Sequence, residues 1–75
     1  KFYPNPVLNK MIIESKFPGI INVYNHLGQF EINYRLNTHD SKTVIDLSAL
    51  AQGLYFIELI INDIPVGKTK FVKIK

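Results

Sequence analysis

Turn signals cut this chain into short pieces. Pro18-Gly19, Asn25 to Gly28, Asn37 to Lys42, Gly53 and Asn62 to Pro65 recur at roughly 8–12-residue spacing, the rhythm of short strands in an antiparallel sandwich. The pieces between them suit pleated sheet. Eleven Ile, five Val, four Tyr and five Phe stand against two Ala and one Met, and branched and aromatic side chains pack well on a sheet while losing little extra rotamer freedom. With 75 residues and no Cys, there is room for one core and no disulfide to staple it, so stability must come from apolar packing. The expectation is an all-β domain of six to seven strands.

Tyr3-Pro4-Asn5-Pro6 opens the chain with two prolines that fix φ and remove two donors, which predicts a rigid lead-in. Lys10 to Ser15 reads as the first full strand and Ile20 to Asn25 as the second. Between them and the next strand, Asn25-His26-Leu27-Gly28 carries a hairpin signature, with Gly28 free to take the positive φ of a tight connection. Phe30, Ile32, Tyr34 and Leu36 then alternate with Glu31, Asn33 and Arg35, predicting one apolar and one wet face. Residues 37–42 form a polar loop. Thr43 to Leu47 makes a short strand running into Ser48–Gln52, where a Ser cap and Ala/Leu content predict a single helical turn ended by Gly53. Leu54 to Ile61 is apolar except for Glu58 and reads as a central strand covered on both faces. After the turn at Asn62–Pro65, Val66 to Ile74 closes the sheet, its lysines placed to discourage edge pairing.

Charge is distributed unevenly. The net charge is +3, yet Lys68, Lys70, Lys73 and Lys75 all fall in the last eight residues, and everything before them holds five bases against six acids. Several kinds of chemistry are excluded or unsupported. Without Cys there is no thiolate nucleophile and no Cys-ligated zinc. Leu59-Ile60-Ile61 is bounded by Glu58 and Asn62, and no apolar run approaches the ~18–20 residues of a membrane helix. His26, His39, Asp40 and Asp46 are the only residues that tempt a metal or general-base assignment, and they lack a neighbouring nucleophile or ligand spacing. Glu14, Glu31, Glu58 and Asp63 are dispersed, and no phosphate loop, Ser elbow or HExxH occurs. No catalytic, cofactor or metal site is expected. The chain begins at Lys1 without an initiator Met or a leader pattern, so it reads as a piece, residues 1–75, of a longer protein.

Specific strings say more. Tyr3-Pro4-Asn5-Pro6, Val23-Tyr24-Asn25 followed by Gly28, Ile45-Asp46-Leu47-Ser48-Ala49-Leu50, Gly53-Leu54-Tyr55-Phe56-Ile57 and Lys70-Phe71-Val72-Lys73 occur in that order. This ordered set resembles the type A C-terminal sorting domain of the type IX secretion system, over essentially the whole chain. The resemblance implies an immunoglobulin-like sandwich at the C-terminus of proteins exported across the outer membrane of Bacteroidota. It also implies recognition by the translocon or an outer-membrane shuttle and, in many members, removal by a surface sortase that joins the cargo to lipopolysaccharide. Pro4, Asn5 and Pro6 match the opening motif, Gly53 and Tyr55 the GxY element, and Lys70, Phe71, Val72 and Lys73 the terminal basic segment. Asn25 stands where Asp is frequent and Leu54 where Val is frequent. The docking set implied is therefore Lys68, Lys70, Phe71, Val72, Lys73 and Lys75.

Bland readings stand beside these. The lysines serve either an acidic partner or the solubility of an edge strand. Nucleic acid is a weaker third reading, because four lysines on one strand without stacking aromatics fall short of the usual footprint. Gly53 and Tyr55 read as a recognition surface or as a turn and a core residue, and the prolines as part of a signal or as a spacer. An accessory binding module, fibronectin-like or carbohydrate-binding, would need a platform built from Phe30, Tyr34, Tyr55, Phe56 and Phe71. Alternation favours burying those residues. Self-association through exposed edges, or swapping of the first strand, is the remaining reading.

Overall fold

The computed structural model describes residues 2–36 and 42–75. The polar loop expected over 37–42 lies outside them except for Lys42, and with it His39 and Asp40. Seven strands form two antiparallel sheets. They are β1 (Phe2–Tyr3), β2 (Lys10–Glu14), β3 (Ile20–Asn25), β4 (Phe30–Arg35), β5 (Lys42–Asp46), β6 (Gly53–Ile61) and β7 (Ile64–Lys73). One sheet has the order β1-β2-β5 and the other β4-β3-β6-β7.

The sheets meet through the alternate residues that face inward, as the period of two requires. Met11, Ile13 and Ile45 come from the smaller sheet and Ile21, Val23, Tyr55, Ile57 and Phe71 from the larger, with Val7, Leu36, Leu47 and Leu50 closing the core between them. Leu59, Ile32, Tyr34 and Phe2 pack against it. Tyr34 also ties the sheets together, its hydroxyl donating to the Asp46 carbonyl at 2.7 Å.

Both hairpins in the larger sheet follow local chemistry. Asn62 and Asp63 take φ of 52° and 64°, the left-handed pair that a two-residue turn needs between twisted strands. Pro65 sits just beyond, where the β6–β7 register shifts on an edge strand that tolerates a missing donor. At the β3–β4 hairpin Gly28 takes φ 81°, but Asn25 holds the turn. Its Oδ1 accepts from the Leu27 and Gln29 amides at 2.9 and 3.0 Å, and its Nδ2 donates to Gln29 Oε1 and Glu31 Oε2. Asn25→Ala removes all four and is expected to cost about 1–2 kcal/mol, read as a lower urea midpoint at unchanged slope; an unchanged midpoint refutes this role.

Four expectations need correction. Phe30 does not join the apolar face of its strand. A bulge shifts the register between Val23 and Tyr24 and turns Phe30 outward against the Tyr24 ring, edge-on with centroids 6.1 Å apart. A bulge resets the alternation in this way because its extra residue breaks the period of two. Secondly, β6 is central within its sheet but covered on one face only. The sandwich has two layers, so Leu54, Phe56, Glu58 and Ile60 lie on the outer face. Thirdly, residues 48–52 make a turn, not a helical one, and the cap is Asp46. Its carboxylate accepts from the Ser48 amide at 2.9 Å, and bonding to the Ser48 hydroxyl and amide holds that carboxyl below the usual range. Finally, the proline segment is no free spacer, because Val7 is fully buried and bridges β7.

Candidate functional site

The terminal strand is an edge strand, and its register decides which lysines face water. Phe71 lies opposite Tyr55, and the two rings stack in the core with centroids 5.5 Å apart. Alternation then puts Lys73 inward as well. It is 1% exposed, a rare state for Lys unless its ammonium is paired. Here Nζ is paired within the fold, donating to the main-chain oxygens of Lys75 at 2.6 Å and Ile74 at 3.3 Å. Lys73 and Phe71 are thus interior residues, and the expectation that both belong to the docking surface must be revised. Lys68, Lys70, Val72 and Lys75 are exposed. Lys68 reaches over the Phe56 ring, 5.8 Å from its centroid, and Lys70 lies opposite Phe56 across the β6–β7 pair.

The open edge of this strand is not bare. Residues 5–7 run alongside it in parallel. The Val7 amide donates to Val72 O at 2.7 Å, and the Ile74 amide donates to Val7 O at 2.8 Å. Asn5 continues the ladder with its side chain. Its Oδ1 accepts from the Val72 amide at 3.0 Å and its Nδ2 donates to Lys70 O at 3.4 Å. A side-chain amide can do this because it offers the same donor and acceptor as a peptide group. Pro4 and Pro6, which flank it, are exposed. The opening motif and the terminal basic segment, at opposite ends of the sequence, therefore meet in space. Sequence reasoning missed this pairing, since period and composition report faces but not which edges pair. The one available signal was Asn between two prolines, a position whose neighbour cannot donate from its own backbone.

The GxY residues lie at the same end of the sandwich. Gly53 takes φ 153° at the start of β6, a value that side chains with a Cβ rarely adopt. It begins the strand directly rather than ending a left-handed turn. Tyr55 is buried, and its hydroxyl donates to Ala51 O at 2.6 Å across the β5–β6 corner. Burial raises its pKa. Both have a structural role. The aromatics required for a binding platform split up: Tyr55 and Phe71 are buried, Tyr34 packs inside, and on the outer face Phe30 meets Tyr24 edge-on rather than coplanar while Phe56 lies under Lys68.

Among the described residues no group of three or more His, Cys, Asp or Glu side chains is placed to hold a metal ion. No helix among them is long and apolar enough to cross a membrane. The surface of the described residues includes an open groove of about 410 Å³ lined by Pro18, Arg35, Leu36, Asn62 and Asp63 among others, and a second of about 400 Å³ lined by Phe56, Lys68, Thr69 and Lys70. The second lies on the outer face beside the exposed lysines.

The chain is thus a small all-β domain of two packed sheets, with Lys68 and Lys70 exposed on its terminal edge strand. The chain belongs to the family of secretion system C-terminal sorting domains, whose family model matches residues 1–74. It is the C-terminal sorting domain of the type IX, or Por, secretion system, a non-catalytic signal domain, and membership implies interaction with that secretion machinery. Cargo of this system is secreted or bound at the cell surface. No curated protein and no solved structure gives a significant match to the chain.

Proposed function

We propose that this domain is read by a translocon or shuttle component through the exposed lysines of its terminal strand, and that it forms the end of a longer exported protein crossing the outer membrane from the periplasm. The observation that carries this is the charge of β7. Lys68 and Lys70 are exposed on it, and no acid follows Asp63 in the sequence. An acidic partner is steered toward such a strand and oriented by it. Sortase removal and surface anchoring of the cargo belong to the same reading.

The sandwich is best classed as immunoglobulin-like. The β1-β2-β5 and β4-β3-β6-β7 orders support this, as does the Tyr55 hydroxyl bond to a carbonyl four residues back, which is the form of a tyrosine corner. A first segment that pairs with β2 and then with β7 also fits two packed sheets sharing one strand at a corner.

The test fuses residues 1–75 to the C-terminus of a periplasmically targeted fluorescent protein, in a type IX-competent bacterium and an isogenic secretion-null strain. Fluorescence outside the cell is expected only in the competent strain, and Lys68→Gln with Lys70→Glu, which avoids facing a second carboxylate toward Glu58 across the strand pair, is expected to lower it several-fold at a near wild-type melting temperature. Equal periplasmic retention of the intact wild-type fusion in both strains counts against the reading. Normal export of the double variant removes the role given to charge.

A further inference from the structure

Each half of the edge ladder is exposed on its outer side. Leu8 and Ile74 are 50% and 44% exposed, and Val72 is 41% exposed, beside Pro4, Asn5, Pro6, Lys70 and Lys75. The charged side chains on this ridge are all basic. No Asp or Glu occurs before Glu14 or after Asp63, so both contributing segments are free of acids. The ladder also limits how a partner can bind. Main-chain groups from Lys70 to Ile74 are already occupied by residues 5–7, so a strand added by a partner has only the stretch before Lys70 to pair with. Recognition farther along must use side chains and the outer side of residues 4–8.

We infer that the opening segment Pro4–Leu8 and the terminal segment Lys70–Lys75 form one composite docking ridge, and that its partner is an acidic protein surface bearing apolar side chains. This rests on the docking reading above and changes what is recognised: the lysines are read together with the segment that holds them in register. Asn5 is the positioning residue. It ties down Lys70 and Val72 without contacting the core, whereas Val7 supplies the buried anchor. Leu8 presents the apolar outer side of the opening half.

The experiment uses the same fluorescent fusion with three substitutions. Asn5→Ala removes both side-chain bonds to the terminal strand. Tyr34→Phe is the stability control, since Tyr34 lies on β4, at the opposite edge of the sheet from β7, and the change removes its one hydrogen bond to Asp46 of β5. Leu8→Glu places a negative charge on the opening half while leaving the four ladder bonds in place, with Leu8→Lys as its counterpart. We expect Asn5→Ala to speed amide exchange at Val72 and to cut export several-fold relative to Tyr34→Phe at matched melting temperature. We expect Leu8→Glu to cut export several-fold and Leu8→Lys to leave it intact. Wild-type-like export of Asn5→Ala with a demonstrably unprotected Val72 amide overturns the composite ridge, as does equal export of Leu8→Glu and Leu8→Lys. Failure of the wild-type fusion to leave the competent strain overturns the docking reading itself, which is a different result.

Discussion

Lys73→Glu is expected to remove a large share of the domain's stability. The substitution replaces an ammonium that donates to two main-chain oxygens with a carboxylate facing those same oxygens in a site only 1% exposed. An unpaired buried charge of this kind costs more than about 3 kcal/mol. A chain of 75 residues has a total stability of only roughly 4–11 kcal/mol. Lys70→Glu and Lys75→Glu change exposed side chains and are expected to stay within about 0.5 kcal/mol of wild type. Thermal unfolding followed by circular dichroism separates the two classes, and a Lys73→Glu melt matching that of Lys70→Glu would show that the ammonium is not held as described. The result also governs how charge reversals are interpreted. Lost export in Lys73→Glu reports lost stability, so only Lys68, Lys70 and Lys75 test docking.

Gly19→Ala is the second large effect. A Cβ at this position would sit 2.5 Å from Ile60 O and 3.2 Å from the Ile61 side chain. The backbone has little freedom to retreat, because Gly19 O accepts from the Leu36 amide at 2.8 Å and Ile20 is already paired on both sides. Overpacking against main chain is expected to cost about 2–3 kcal/mol, whereas Gly67→Ala, with nothing within 4 Å, should be neutral. Paired urea titrations of the two variants measure the difference; equal midpoints would contradict the close approach.

Strand positions were legible in the sequence because breakers and β-rich segments alternate so regularly. Ile20–Asn25 was read with the bounds the structure has, and Lys10–Ser15, Thr43–Leu47 and Leu54–Ile61 each differ from it by one residue at one or both ends. Orientation was harder to read. Phe71 inward implies Lys73 inward, yet the preference of Lys for water suggested the opposite, and only the main-chain oxygens at the strand end make burial tolerable. Phe30 was assigned to the wrong face because a bulge leaves no mark in an alternating pattern. The apolar run from Leu54 to Ile61 suggested two covered faces, but a two-layer sandwich covers only one. The two-residue β1 and the cover that residues 5–7 give to β7 depend on contacts across the whole chain. The motif residues were therefore visible, and their contact with one another was not.

The bonds from Asn5 to Lys70 and Val72 join residues 65 and 67 positions apart in sequence. Closing so long a loop is entropically unfavourable until intervening strands bring the ends together, so contacts of this separation are expected among the last to form. The ridge at the edge of β7 consequently reports on everything folded before it. A chain that is missing an inner strand, or has trapped one in the wrong register, presents loose ends rather than a ridge. A receptor that binds only the assembled edge thereby checks that folding is complete.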